Sequence, residues 1–221
     1  MAQSQPPKHA RAPLAIQAVQ AQMAGAVVLT SPAIGADGRI DPIYSADQDN
    51  LSPPLAWNRV LEARSFALIV EDPDAPGDDP FVHWMIWDIP GTVTELHRGV
   101  MEGPYPQSPV GPIQGKNGHG HNAWFGPRPP AGHGLHRYHF QLFALAKPLG
   151  MGPNTALPDL LNALKANTIA SGELVGTFET KDPADLSPPR TFAAHDAGRG
   201  GLDEDDVDRH APHDGDGVVR R

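Results

Sequence analysis

The chain has 221 residues, a net charge of −9, 25 prolines, 23 glycines and no cysteine. That length suits one domain with tails or at most two small ones, and the missing cysteine excludes thiol catalysis and cysteine-based zinc sites. The acidic balance argues against general nucleic-acid binding, which needs a basic face to replace phosphate counterions. Ten acidic residues against five arginines concentrate more than half of the charge after residue 181. No uninterrupted apolar run approaches the ~20 residues that span a bilayer, and a cytoplasmic protein is expected.

In chain order, residues 1–24 read as a flexible extension. The stretch LAIQAVQAQMAGAVVL is amphipathic in outline, but Gln17, Gln20 and Gln22 dilute it below a signal-peptide apolar region. A domain is expected over residues 25–181, built from short strands and turns because proline and glycine are spread throughout. Strands are predicted over 25–30, 66–72, 82–88, 137–146 and 173–179. One helix is predicted over 156–166, where Leu157, Leu160, Leu161 and Leu164 fall at i, i+3, i+4 and i+7. Thr155 is its expected N-cap, Pro158 lies in its first turn, and a second short turn follows over 168–171. A long Gly/Pro-rich connection runs from 99 to 121. From 182 to 221 the acidic, glycine-rich composition predicts a disordered tail.

Strand alternation sorts the side chains. Phe66, Leu68 and Val70 share a face that ends on Asp72. His83 shares one with Phe81, Met85 and Trp87, opposite Val82, Trp84 and Ile86. His136, Tyr138 and Phe140 point one way, Arg137, His139 and Gln141 the other. The segment GPRPPAGHGLHRY, residues 126–138, joins a stiff loop to that last strand. Pro127, Pro129 and Pro130 fix φ, while Gly126, Gly132 and Gly134 permit turns.

Taken singly, these motifs are ambiguous. Asp72 and Asp74 in DPDAP read as a solvated Asx-Pro turn or as functional carboxylates, and His83 as a satisfied core imidazole or a site residue. His119, His121, His133, His136 and His139 cluster in sequence, but H-x-H and H-x-x-H are weak metal signals, and alternation separates His136 from His139. No metal site is assigned, and histidine-based metal binding is kept as an alternative. Neither a G-x-S-x-G motif nor a cysteine supplies a nucleophile, so no catalytic residue is assigned. A hydrolase using Asp72, His83 and His136 is the second alternative.

The ordered blocks NLSPPLAW, ALIVEDPDAP, VHWMIWDIP, GPRPPAGHGLHRYHFQLFAL and GELVGTF resemble the phosphatidylethanolamine-binding protein family, in its bacterial Raf-kinase-inhibitor-like branch, over residues 27–180. The resemblance implies a mainly β fold, an antiparallel Greek-key-like β-sandwich with a few short peripheral helices and a small anion-binding pocket at one end. It places Asp72, His83, His136 and Tyr138 in the pocket and Gly126, Pro129 and Pro130 in its wall, and it implies a cis Ala75–Pro76 bond. Asp74 is a further candidate. Arg128 departs from the family pattern, which has a small residue or cysteine there; it reads as a gate or phosphate fork, or as a solvated loop arginine. The implied ligand is a phosphorylated small molecule or phospholipid head group. Asp72 would orient a histidine and lift its pKa above the ordinary ~6.5, or pair with the amine of a zwitterionic head group, and binding is expected to weaken above neutral pH. No cofactor is expected. For some members the family implies inhibition of a kinase or protease; the chain identifies no such target, and a homodimer is left open.

Overall fold

All eight residues of the strand Ser65–Asp72 are buried, so it must be covered on both faces. The computed structural model describes residues 12–19 and 27–181. Its elements are α1 (Ala15–Val19), β1 (Leu29–Thr30), β2 (Leu55–Trp57), β3 (Ser65–Asp72), β4 (Phe81–Pro90), β5 (Glu95–Leu96), β6 (Ile113–Gln114), β7 (His136–Leu145), α2 (Leu157–Asn167) and β8 (Thr168–Phe178). Five strands form one antiparallel sheet in the order β6-β4-β3-β7-β8, and β1-β2-β5 form a second. The fold is mainly β, with few helices, as expected.

Alternation explains the layers. Phe66, Leu68 and Val70 of β3 join Tyr138, Phe140 and Leu142 of β7 in a cluster closed by Leu29, Leu55, Trp57 and Leu96 of the small sheet. On the opposite face Ala67, Ile69, Phe143 and Leu145 meet Ala15, Val19, Leu160 and Leu164 of the two helices. Full burial of such side chains stabilises by roughly 1.5–3 kcal/mol each, which is why the central strand stays between the layers.

Several expectations change. Helix α1 falls inside the segment read as a flexible extension; residues 1–11 and 20–26 and the acidic tail from 182 lie outside the described residues. Thr155 is not the cap of α2: the N-cap is Ala156, without a side-chain bond, and the Thr155 hydroxyl donates to the Gly152 carbonyl. The turn expected over 168–171 is the first part of β8. The Ala75–Pro76 bond is trans, the cis bond among the described residues being Ser108–Pro109. Strands β2, β5 and β6, two or three residues each, are too short to have left a periodic signal.

The alternation assigned to β4 also breaks. Val70 pairs with Trp84 but Glu71 with Val82, so β4 carries one extra residue, His83, at this point. Such a bulge puts neighbouring residues on one side of a strand. Trp84 and Ile86 face the small sheet, Met85 and Trp87 the helices, and the His83 ring joins Trp124 and Tyr138 on the small-sheet side.

A buried carboxylate ties down α1. Glu71 accepts from the Ala15 amide and from Gln141 Nε2, both at 2.8 Å, while Gln141 Oε1 accepts from the Ile16 amide at 2.6 Å. Burial pushes the Glu71 carboxyl up from its ordinary value, with these bonds partly offsetting it. Replacing Glu71 with alanine is expected to cost about 1–3 kcal/mol and to raise amide exchange at Ala15 and Ile16 selectively. Unchanged exchange at those two amides would show that apolar packing alone holds the helix.

Candidate functional site

Three chain segments meet at one end of the large sheet: the end of β3 with the turn after it, the start of β4, and the loop that enters β7. They enclose a cavity of about 280 Å³ lined by Asp72, Pro76, Phe81, His83, His119, Phe125, Arg128, Pro129, Pro130 and His136, with Ala75 at its edge.

Asp72 is its fixed point. The residue is 2 % exposed, and Pro73 behind it restricts the backbone so that Oδ1 accepts from the Asp74 and Ala75 amides at 2.8 and 3.1 Å. The other oxygen accepts from His136 Nδ1 at 2.7 Å. Because a carboxylate only accepts, His136 carries its proton on Nδ1 and turns Nε2 outward from Asp72. The expected orienting role is thereby seen for His136.

His83 is held in the same sense. Its Nδ1 lies 2.6 Å from the Phe125 carbonyl, which makes Nδ1 the protonated nitrogen and leaves a lone pair on Nε2. The ring packs edge-on to Phe81 at 4.8 Å and is stacked on Phe125 at 5.9 Å. Burial pushes its pKa down to about 4, against the pull of the Phe125 carbonyl and Asp72. His83 is therefore a neutral imidazole at physiological pH, and it is not the histidine whose pKa was expected to rise.

Tyr138 is fully buried and meets His83 edge-on at 4.9 Å, but it does not line the cavity. Its hydroxyl closes no hydrogen bond, although the Arg128 backbone N–H faces it, and burial pushes its pKa up. Gly126 also sits outside the lining. Its amide donates to Asn50 Oδ1 at 2.8 Å, and an added Cβ would lie 2.3 Å from the Tyr44 carbonyl oxygen, so the position needs glycine for close approach rather than for a turn. Asp74 points away from the cavity, accepting from Arg137 Nε and Nη2 at 2.8 Å, and this pairing holds its carboxyl below the ordinary range. Arg128 is at the rim, its Nε 2.9 Å from Asp47 Oδ1, with 62 % of the side chain exposed.

Phe81, Phe125 and His119 were not singled out as site residues from the sequence. Phe81 precedes the bulge and Phe125 precedes the glycine-proline turn, so adjacency to motif residues was the available signal. His119 arrives from the long connection, which Gln114 fastens by accepting from Trp84 Nε1 at 2.7 Å and donating to the Met101 and Gly103 carbonyls at 2.8 and 2.7 Å. His139 faces away from the cavity, 2.8 Å from Glu173, as alternation required. Among the described residues no three histidine or carboxylate groups converge to hold a metal ion.

Comparison with known proteins gives the family and the fold. Residues 30–179 match the family described as phosphatidylethanolamine-binding protein. A UPF0098 protein of Pyrococcus abyssi is 37% identical over 156 residues, covering 70% of this chain and 86% of its own. A Mycobacterium tuberculosis relative that carries a lipoprotein name, LppC, is 36% identical over 146 residues, covering 65% of this chain and 68% of its own. The crystal structure of Escherichia coli YbcL superposes with a TM-score of 0.64 at 29% identity, covering 71% of this chain and 100% of YbcL. No helix among the described residues is long and apolar enough to cross a membrane. The chain belongs to the phosphatidylethanolamine-binding protein family, with YbcL among its bacterial relatives, and is a ligand-binding protein.

Proposed function

We propose that the cavity at Asp72 and His136 receives the phosphoryl group of a small phosphorylated molecule or a phospholipid head group. The observation that carries this reading is the 2.7 Å bond from His136 Nδ1 to a carboxylate that two backbone amides also engage. Asp72 has both oxygens engaged by three donors, and it fixes His136 with Nε2 turned away from the carboxylate. Arg128 at the rim supplies a planar cation for a phosphate oxygen once it leaves Asp47. Phe81, Phe125 and His119 form an aromatic wall suited to the carbon atoms of the ligand.

Hydrolysis is less well supported by the same geometry. One ring nitrogen of His136 is held by Asp72 and the other lies 2.9 Å from His133 Nδ1, so an imidazole stands where a triad would place its nucleophile. No observation identifies a kinase or protease target. The cytoplasmic location stays an expectation that cell fractionation would test, since one relative carries a lipoprotein name.

Calorimetric titration of the full chain with inorganic phosphate, O-phosphoethanolamine and glycerophosphoethanolamine tests the ligand class and separates free phosphate from the two head-group chemistries. Binding of at least one is expected, with His136→Ala losing about tenfold or more in affinity, as fits a hydrogen bond to a charged group. Saturable binding indifferent to His136→Ala, or no binding by any of the three, would refute it.

A second expectation concerns His83. Its folded pKa of about 4 lies below the ordinary 6.5, so the unfolded chain binds the extra proton first as pH falls. The stability contributed by neutral His83 is complete above pH 6.5 and is lost on descending towards 4, amounting to roughly 3 kcal/mol. Urea unfolding at pH 7 and 4.5 should therefore show a steeper acid loss for the native protein than for His83→Gln. Equal losses would mean that the folded protein protonates His83 as readily as the unfolded chain does.

A further inference from the structure

His136 does not face the cavity unencumbered. His133 Nδ1 lies 2.9 Å from His136 Nε2, with the two rings 5.2 Å apart and inclined at 51°. With the His136 Nδ1 proton spent on Asp72, the contact between His136 Nε2 and His133 Nδ1 is a hydrogen bond that occupies the other ring nitrogen whichever of the two donates. The result is a chain that runs from His133 through His136 to Asp72, with His136 donating to the carboxylate.

That chain conflicts with anion binding. Phosphate oxygens are acceptors, and a ring nitrogen already occupied by His133 offers them nothing. For His136 to donate to a phosphoryl oxygen, an N–H at Nε2 must be turned from His133 to the ligand, so the bond to His133 has to open. A monoprotonated phosphoryl group meets the same obstacle, because its P–OH needs the ring nitrogen that His133 occupies. In either case His133 leaves first. His133 is exposed, so its ring has room to turn into solvent; its amide donates to the Pro130 carbonyl at 3.0 Å, and it is flanked by Gly132 at φ +73° and Gly134 at φ +86°. The other titratable or charged groups that act on His136 include Asp72 at the end of β3, Asp74 in the turn after it and His83 on β4.

We propose that His133 is a gate of the ligand site, closing it by bonding to His136 Nε2 and swinging out between Gly132 and Gly134 when a phosphoryl ligand takes that nitrogen. The inference rests on the phosphoryl-binding reading and adds to it a residue that opposes binding. Removing a competing neutral hydrogen bond should tighten binding about 2- to 12-fold. Phosphate and O-phosphoethanolamine titrations of the full chain and of His133→Ala test this, with nitrogen-15 imidazole spectra recorded in parallel. The expected result is tighter binding by His133→Ala and, in the native protein, loss of the signal of the His133–His136 hydrogen bond on adding phosphate. Equal or weaker binding by the variant, with native binding intact, overturns the gate and leaves the ligand assignment standing. If neither protein binds either probe, both the gate and the ligand assignment fall.

Discussion

The buried bond between Asp72 and His136 joins the end of the central strand to the start of its neighbour, and the rest of the site is arranged around it. A carboxylate at 2 % exposure is costly unless every lone pair that matters is engaged. Pro73 and the Asx turn supply two amides, and His136 supplies the third donor. Removing any one of these leaves a buried carboxylate with a donor missing, so the geometry of the cavity and the stability of this end of the sheet are one problem. The neighbouring residue, Glu71, poses the same problem on the opposite face and is answered there by the start of α1 and Gln141. Two consecutive acidic residues thus anchor two different layers because a strand alternates its sides.

Much of this was legible in the sequence. Alternation put His136, Tyr138 and Phe140 on one face and Arg137, His139 and Gln141 on the other, and Tyr138 and Phe140 do join the inter-sheet cluster while His139 meets Glu173; the row Phe66, Leu68, Val70 ends on Asp72. The family resemblance, carried by motifs around Asp72, His83 and His136, supplied the fold. Where alternation failed, at His83 and Trp84, a bulge had inserted one residue, and no periodic reading of a single strand can register what its partner does. Helix α1 was missed because five residues give little periodicity; its position depends on Glu71 and Gln141, more than fifty residues away in sequence. Phe125 and His119 line the cavity through the folding of a long connection whose shape is set by one buried glutamine.

Hydrogen-bond direction refines the electrostatics expected of such a pocket. Both buried imidazoles spend their Nδ1–H groups on protein acceptors, His83 on the Phe125 carbonyl and His136 on Asp72, so only Nε2 of each is left to meet a ligand. His83 is further held neutral by burial. A phosphoryl ligand therefore has to be matched by a proton at His136 and by the departure of His133, with Arg128 the nearest permanent cation at the rim. Selectivity in this view comes from what a ligand must displace as much as from what it touches.

A crystal structure of the full chain with O-phosphoethanolamine bound tests the central claim most directly. The expected result is a phosphoryl oxygen within about 3 Å of His136 Nε2, the Asp72–His136 bond intact and His133 turned away. A phosphoryl group bound elsewhere, or one seated in the cavity without contact to His136, would contradict it.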